Sequence, residues 1–571
     1  MPRDQVVVLL AWAVLGTSFL GVGALVRRLC QASDERDDWL QGFFVGWSSV
    51  LLGLQLWHLV LPADGRALAT VIAAGAIGVL LERRRLWRAC GRVSLGHLVF
   101  LFGFAAAAWW LSRQALDGPH FGDTGLYHLP AVEWARQYRV IPGLGNLYGP
   151  LGYSQSHFLY EAMLGVGPLA GHAHHVANGL LALALVARAL LGLVRVCRRT
   201  ACAPVDVFYA LALPAASHLG FDIHLTGLSP DLAVNVLGIV FSAEIVAFLA
   251  SDQRPAPASD LLLLLVLGVA AMTVKLSMAP LVGTGLVIIA LHFLARGGLR
   301  RERRVRAASI ALAVMVLGAG TWIARGYILS GYPFYPSRFG AAEVDWRVPE
   351  AIAIKEVEVM TRGWTPAQAL QSLATPAAAL HRLGTTFGEA HIGPVVAGGL
   401  AAALLAIAVR LITLFRHADR KQRVPLVILI PTLVSLAAWY ATSPSQPRLA
   451  GAVFWLLGVQ GTLLVLDGLL GARRRVTRLV AAALALAVAV LPVFGDTPLW
   501  KSDLRTFRGG VQPQVHAVRL PSGLMIYVPP QGQYCWDAPL PCSHAPPPGL
   551  RMRQPDRMQS GFRIAPQEGA R

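Results

Sequence analysis

Two carboxylates follow an apolar stretch in the segment Asp117-Gly-Pro-His-Phe-Gly-Asp123-Thr-Gly-Leu-Tyr127-His128. A carboxylate at the end of an apolar helix is partly desolvated, so it can accept a proton as a general base. Aspartate before Thr-Gly is equally typical of a helix cap or a turn, and the spacing alone leaves both interpretations of Asp123 open. Tyr127 and His128 could orient a substrate, although such residues at a membrane surface more often only form hydrogen bonds.

Three cations interrupt or flank other apolar stretches. Lys275, in Thr-Val-Lys-Leu-Ser, costs free energy in such a stretch unless it snorkels to water or meets an anion. Arg325 lies about one helical turn before the end of its apolar stretch. Arg448 lies at the beginning of another apolar stretch. Arginine suits bidentate recognition of a phosphate, but bulk lipid headgroups would satisfy either arginine as well. Glu133, on a short helix predicted to start at Pro130, is a further candidate for substrate binding.

Other polar motifs have simpler interpretations. Ser229-Pro-Asp231 is typical of an ordinary helix start, with Ser as the cap and Asp favouring the helix dipole. His172, His174 and His175 cluster without a carboxylate or cysteine at ligand spacing. The sequence has no Walker loop, dinucleotide fingerprint, His-Glu-x-x-His or Gly-x-Ser-x-Gly motif. It therefore indicates neither a cofactor nor a metal site.

The composition predicts the class of protein to which these residues belong. The 571 residues are 55% hydrophobic and 14% charged, and the mean hydropathy is +0.54. This is far more apolar than a soluble core requires. A membrane-spanning helix needs about 20 mostly apolar residues. The sequence predicts fourteen such spans, which begin near Val6, Leu40, Ala67, Leu98, Val176, Val205, Leu232, Leu261, Leu281, Ala307, Ile392, Val424, Gly451 and Leu479.

Basic clusters predict the orientation of these spans. Loops rich in Lys and Arg stay on the cytoplasmic side, and five such clusters lie at Arg83 to Arg85, Arg195 to Arg199, Arg300 to Arg306, Arg416 to Arg423 and Arg473 to Arg475. Because they occupy short loops between apolar runs, the net charge of +19 does not indicate a nucleic-acid partner. Both termini are then expected outside the cell.

The polar stretches divide the chain. We expect N-terminal transmembrane helices over 1–93, a transmembrane core over 94–494 with outer loops at 113–175 and 330–391, and an extracytoplasmic tail over 495–571. In the second loop, Ile352, Ile354 and Val357 alternate with charged residues, which predicts a helix lying on the membrane. Cys535 and Cys542 are the cysteines expected outside, where an oxidising environment would let them pair.

The pattern of a spanning helix, an outer loop with an early aspartate, a surface helix and a long later loop resembles the GT-C superfamily, the glycosyltransferases that use polyprenyl-phosphate sugars. Further motifs are similar to an uncharacterised bacterial family of multi-spanning proteins of this type. They are Asp123-Thr-Gly-Leu-Tyr-His-Leu-Pro, Ile141-Pro-Gly-Leu-Gly-Asn, Ser229-Pro-Asp, Val274-Lys-Leu-Ser and Tyr534-Cys-Trp-Asp-Ala-Pro-Leu-Pro-Cys.

The GT-C resemblance implies an all-α enzyme of the bacterial cytoplasmic membrane. Asp123 matches the outer-loop aspartate that acts as catalytic base, and Arg325, Arg448 and Lys275 would neutralise the leaving lipid phosphate, with inversion at the sugar. Partners would be a polyprenyl-phosphate-linked sugar donor, membrane lipids and a glycan, lipid or protein acceptor. The superfamily also admits a divalent metal, but Thr124 stands where its commonest pattern has a second carboxylate.

Two other classes stay open at this point. One is a polymerase or ligase of lipid-linked glycans, which would use several arginines in one outer loop, such as Arg338, Arg347, Arg362 and Arg382. The other is a transporter or flippase. A transporter is expected to place ionisable residues near the middle of the membrane, in helices interrupted by Gly or Pro. The charges noted above are instead predicted at the outer ends of helices.

Overall fold

The computed structural model describes residues 3–31, 39–90, 94–119, 122–198, 203–251, 258–295, 301–389, 393–415, 424–470, 483, 514–530 and 532–565. Within them the chain is predominantly helical, with four short strands near the C terminus. The all-α class predicted from the sequence is therefore confirmed for the body of the chain.

The helices alternate with loops along the whole body of the chain. The first twelve are α1 Arg3–Leu29, α2 Trp39–His58, α3 Gly65–Cys90, α4 Leu95–Gln114, α5 Leu129–Gln137, α6 His157–Leu164, α7 Ala177–Arg198, α8 Pro204–Leu211, α9 Leu213–His218, α10 Pro230–Leu249, α11 Ala258–Val274 and α12 Ala279–Ala295. The others are α13 Arg301–Met315, α14 Thr321–Ser330, α15 Glu350–Thr361, α16 Pro366–Leu373, α17 Pro376–Glu389, α18 Gly393–Phe415, α19 Leu429–Thr442 and α20 Val453–Leu470.

Among the described residues, eight helical segments are long and apolar enough to cross a membrane. They are Arg3–Leu29, Gly65–Arg83, Leu95–Gln114, Ala173–Arg198, Pro230–Leu249, Leu276–Ala295, Val305–Ser330 and Gly393–Ile412. Three shorter apolar helices, Ala258–Val274, Leu426–Thr442 and Val453–Asp467, cover three further predicted runs. The run predicted near Leu479 lies outside the described residues. These helices have the lengths and composition of a multi-pass membrane protein.

Two predicted runs differ from simple apolar spans. Helix α2 has 20 residues but is more polar, with Gln41 and Gln55 among its buried side chains. The run near Val205 is divided into α8 and α9, because Pro214 in the first turn of α9 has no backbone N–H to continue the helix.

Helix α10 forms the centre of the helical body. In its apolar window 89% of the residues are buried, compared with 28% in the window that contains α12. A helix that is hydrophobic on all sides is expected in such a position. The consequence for the site is that Asp231, in the first turn of α10, lies in the interior and is 3% exposed.

The basic helix ends lie together at one end of the body. Arg28, at the end of α1, lies 3.8 Å from Glu82 of α3, and Arg306 of α13 donates to the carbonyl of Leu29. The two polar loops and the tail contact one another in a different part of the molecule. The backbone N–H of Phe562 donates to the carbonyl of Pro142, and Arg553 pairs with Asp345 at 3.0 Å. The tail is thus attached to both loops.

The tail folds as two antiparallel hairpins. β1 (His516–Arg519) pairs with β2 (Met525–Val528), and β3 (Leu550–Met552) pairs with β4 (Phe562–Ile564). Cys535 and Cys542 form a disulfide between the hairpins, with Cα atoms 6.0 Å apart. Buried apolar residues from both hairpins pack with loop residues Trp134, Ile141 and Leu144. The tail therefore shares a hydrophobic core with the first loop.

Helix α15 forms where the alternation predicted it. Ala353 is fully buried against loop tyrosines, and Glu356 lies half-buried one turn later. The helical repeat places these two residues together on one side. Ile354 and Val357 are each 39% exposed, and the prediction that this helix lies on the membrane stays a prediction.

Candidate functional site

Asp123 and Arg448 meet although 325 residues separate them in the chain. Asp123 precedes a π-helical turn, Thr124–His128, and Arg448 lies in the short turn Pro447–Ala450 before α20. Arg448 Nη1 lies 2.8 Å from Asp123 Oδ2, and the two side chains are 38% and 26% exposed. This exposure matters because a ligand can reach both groups.

A second, buried ion pair lies directly beneath the first. Lys275, between α11 and α12, donates to Asp231 Oδ1. Asp231 Oδ2 lies 3.9 Å from Arg448 Nη1 and 3.8 Å from His224 Nε2. Asp123, Arg448, Asp231 and Lys275 are named the charged cluster below. Its two carboxylates and two cations balance, so the formal net charge of these four residues is zero.

The backbone around Asp231 is held in place by neighbouring polar groups. Ser229 caps α10 by accepting from the Asp231 backbone N–H at 3.2 Å. Asn178 of α7 donates to the carbonyls of His224 and Ser229, at 2.9 and 3.0 Å. These bonds fix the loop before α10, so Asp231 enters the interior at a defined position.

His128 also contacts the loop before α10. Its Nδ1 lies 3.3 Å from the carbonyl oxygen of Gly227, which also accepts from Thr124 Oγ1. Burial lowers the pKa of His128 to about 3, so the imidazole is neutral at physiological pH. Since a carbonyl can only accept, Nδ1 must carry the proton in that bond. The bond positions Thr124 and Gly227 next to Asp123.

Tyr127 lies between the charged cluster and an aromatic group. Its ring centroid is 5.9 Å from that of Tyr153 and 6.3 Å from that of Phe158. Burial, and then the negative charge of Asp123, raise the pKa of Tyr127 well above its ordinary value. The phenol therefore stays protonated and can donate a hydrogen bond.

Arg448 remains a cation in this setting. Burial lowers the pKa of Arg448, but the charges of Asp231 and Asp123 together raise that pKa above its ordinary value. Gln446 connects the same turn to α15, because its side-chain amide donates to the carbonyl of Met360 at 2.6 Å. Arg448 is thus held between the charged cluster and the second outer loop.

A third carboxylate, Glu356, faces this region from α15. Glu356 Oε2 accepts from the Tyr153 hydroxyl at 2.8 Å. Burial raises the pKa of Glu356, although the bond from Tyr153 opposes this. After burial, the charges of Glu356 and Asp123 both raise the pKa of Tyr148. Tyr148 therefore lies within electrostatic reach of both carboxylates.

The tail covers the loop that carries Asp123. The backbone N–H of Trp536 donates to the Gly125 carbonyl at 2.9 Å, and the Tyr534 and Trp536 rings are 5.9 Å apart. A Cβ on Gly125 would lie 2.4 Å from the Trp536 indole, whereas one on Gly122 would lie 3.3 Å from the Tyr534 hydroxyl. Only glycine at 125 allows this close approach.

Replacing Gly125 by alanine should loosen the tail. The added methyl group cannot share space with the Trp536 indole, so we expect faster tryptic cleavage after Arg519 than in the wild type. Limited proteolysis followed by mass spectrometry measures this rate. Gly384→Ala is the matched control, because a Cβ at that position meets nothing within 4 Å. Equal cleavage in all three proteins would contradict the packing of Trp536 on Gly125.

Two predicted site residues lie apart from the charged cluster. Glu133 pairs with Arg136 at 2.8 Å on the surface of α5, and none of its contacts among the described residues involves the cluster. Arg325 is 4% exposed and donates to Ser154 Oγ at 3.3 Å. It lines a cavity together with His58, Trp134 and Tyr153. The expected grouping of Arg325 with Lys275 and Arg448 is therefore not observed.

The sequence predicted only part of the charged cluster. It indicated Asp123, Lys275 and Arg448, which the structure unites. Asp231 was interpreted as an ordinary helix start, and Glu356 was overlooked. A signal for Asp231 was present, because a carboxylate that opens an apolar run needs a cation if it is buried, and Lys275 in another apolar run needed an anion.

Comparison with known proteins places the chain in a family. No curated protein sequence and no solved structure is significantly similar to it. The family profile described as "Domain of unknown function (DUF8201)" matches residues 6–455, which include all four residues of the charged cluster. Because the match extends over most of its 571 residues, the chain belongs to the DUF8201 family.

Proposed function

We propose that this protein is an inverting membrane glycosyltransferase of GT-C type. It would move a sugar from a polyprenyl-phosphate donor to an acceptor hydroxyl at the outer face of the cytoplasmic membrane. The observation that carries the proposal is the contact between Asp123 and Arg448. It holds a solvent-accessible carboxylate, in a loop that aromatic residues of the tail cover, against a cation that can bind a phosphate.

The contact suggests how donor binding prepares the base. The donor phosphate competes with Asp123 for the Arg448 guanidinium, which forms paired hydrogen bonds with phosphate oxygens. When Arg448 turns to the phosphate, Asp123 is released. Asp123 then accepts the proton of the acceptor hydroxyl, and the hydroxyl oxygen attacks the anomeric carbon. The bond from that carbon to the phosphate oxygen breaks, and the phosphate leaves with the electron pair.

Other residues of the cluster position these groups. Lys275 holds Asp231, and Asp231 in turn attracts Arg448 from below. The cation expected at Lys275 therefore acts through Asp231 rather than on the lipid phosphate. Tyr127 stays protonated, so it can donate to a sugar hydroxyl or to the phosphate. Trp536 and Tyr534 supply aromatic faces on which a sugar ring can pack.

The same proposal includes a topology of fourteen spans with both loops and the tail outside. Three observations support it. The tail packs on the first loop and contacts the second, so the three belong on one side. The basic ends of α1 and α13 lie together with Glu82 at the other end, as expected for a cytoplasmic surface. A disulfide in the tail also fits an oxidising exterior.

Thiol labelling tests the orientation. Gln559→Cys, on the exposed surface of the tail, should react with a membrane-impermeant maleimide in intact spheroplasts. The exposed thiol of Cys197 should react only after the membrane is permeabilised. Each measurement uses a variant in which that thiol and the Cys535–Cys542 disulfide are the only cysteines. Labelling of Cys197 alone in intact spheroplasts would reverse the topology and remove the outer-face site.

Lipid analysis of a deletion strain tests the reaction class. We expect that cells without the gene accumulate a polyprenyl-phosphate sugar. A surface glycan or glycolipid of these cells should lack that sugar. Mass spectrometry of both fractions measures this, and re-expression of the wild type should restore them. Accumulation of a complete lipid-linked oligosaccharide would instead favour a polymerase, ligase or flippase. Unchanged lipids and glycans would refute all of these functions.

A further inference from the structure

Three histidines at the end of the first loop form a compact group outside the charged cluster. One ring nitrogen from each of His172, His174 and His175 lies within 4.8 Å of the others. The ring centroids of His174 and His175 are 4.0 Å apart, and those of His172 and His175 are 5.7 Å apart. His174 and His175 are buried, whereas His172 is half-buried. The group is therefore reachable from the side of His172.

The local backbone explains why the three rings converge. Residues Ala173–His175 form a 3₁₀ turn, in which side chains three positions apart lie on the same face. His172 and His175 share that face, and their rings stack with an interplanar angle of 29°. Gly171 precedes the turn with φ of 75°, a conformation that glycine adopts without strain. The spacing His-x-His-His therefore directs the rings to one point.

The second ring nitrogen of His175 is already engaged. Nδ1 lies 2.5 Å from the carbonyl oxygen of Ala115. Since that oxygen can only accept, Nδ1 carries the proton and Nε2 carries the lone pair. Metal-binding histidines commonly have this arrangement, in which a backbone carbonyl fixes the tautomer and the orientation of the ring. In His175 it directs the coordinating nitrogen before any ion binds.

We propose that His172, His174 and His175 bind one transition-metal ion, of which zinc is the best match. Imidazole nitrogens suit zinc, and three protein ligands with one further position are typical of such sites. Nitrogens around a tetrahedral zinc ion are about 3.4 Å apart, given bond lengths of about 2.0–2.1 Å. The three ring nitrogens lie within 4.8 Å of one another, so they would approach by at most about 1.4 Å to reach this spacing. The prediction from sequence, which indicated no metal site, relied on finding a carboxylate or a cysteine partner.

The ion would fix the turn before α7, which is already bonded to Ala115 at the end of α4. His175 contacts Ala115, two residues before Asp117 in the segment that leads to Asp123. Asn178, the second residue of α7, holds the loop that carries Asp231. The metal site would thus stabilise both sides of the charged cluster. It does not take part in the proposed sugar transfer, and it stands whether or not that function is correct.

Metal analysis of the purified full-length protein tests the site. The protein is purified with a peptide tag that contains no histidine, and zinc is measured by plasma mass spectrometry. We expect about one zinc ion per chain. After chelation, Co²⁺ should restore the site and give the strong visible absorption of tetrahedral cobalt. The thermal unfolding temperature should rise when zinc is added back.

Variants separate this site from adventitious binding. His172→Asn and His174→Asn should each lose the zinc and the cobalt spectrum, whereas His381→Asn, on α17, should keep both. If the cluster variants are too unstable to purify, the cobalt titration and zinc-dependent melting of the wild type still decide the question. A wild-type protein that neither contains nor binds either metal overturns the proposal. Equal metal content in His174→Asn and His381→Asn does so too.

Discussion

Asp123→Asn should lower the rate of sugar transfer by about 10²- to 10⁴-fold, the range typical for removal of a general base. Asparagine has nearly the same shape and can still accept a hydrogen bond from Arg448 at the position of Oδ2. Donor binding should therefore change much less than kcat. Initial rates in proteoliposomes, with the donor identified by lipid analysis, measure both parameters.

The matched control for this prediction is Glu133→Gln. That carboxylate is also in the first loop, but it pairs with Arg136 on the surface of α5. We expect its transfer rate to equal that of the wild type. Arg448→Lys retains the charge but loses the paired hydrogen bonds, so we expect a higher KM for the donor. If Asp123→Asn retains full activity at equal abundance, Asp123 is a turn former and not the base.

Lys275→Ala should destabilise the fold by about 3 kcal/mol, at the lower end of the cost of leaving a buried charge unpaired. Of the charged partners among the described residues, Asp231 would keep only the more distant Arg448 and His224, at 3.9 and 3.8 Å. The free energy of unfolding in detergent micelles, obtained from denaturant titration, measures the loss. The comparison is Arg338→Gln, whose exposed pair with Glu350 should contribute at most about 1 kcal/mol.

A double substitution identifies the origin of that loss. Lys275→Ala combined with Asp231→Asn removes both charges, so part of the stability should return relative to Lys275→Ala alone. If the two losses simply add, Lys275 does not stabilise the fold through Asp231. A Lys275→Ala protein as stable as the wild type would show that the lysine side chain reaches water instead of Asp231.

The lateral arrangement of the helices could not be predicted from the sequence. Apolar runs of helical length locate residues along the membrane normal, which is why Arg325 and Arg448 were both expected near one surface. Runs do not reveal which helices are neighbours. Arg325 consequently lies in a separate cavity, where Tyr153 also contributes to the wall. Asp123 and Arg448 meet because the turns before α5 and α20 converge, and no local pattern encodes that meeting.

Ambiguous local patterns account for the other differences. Ser229-Pro-Asp231 is a favourable helix start in any protein. The motif alone therefore does not indicate that Asp231 also attracts Arg448. Glu356 occupies a helix whose polar and apolar residues alternate, and only the loop tyrosines decide which face is buried. The pairing of Cys535 with Cys542 was predicted, because these are the cysteines expected outside. The contact of the neighbouring Trp536 with Gly125 was not, because it joins segments about 400 residues apart.

The tail contact also bears on the order of biosynthesis. Ribosomes make the chain from the N terminus, so Asp123 and the first helices are inserted long before Trp536 and its disulfide emerge. A nascent or truncated chain therefore has the charged cluster but not the aromatic cover on Gly125. The cover on Gly125 can therefore form only after the whole chain has been made. Under the proposed function, a copy that lacks the tail would lack the aromatic faces on which a sugar ring can pack.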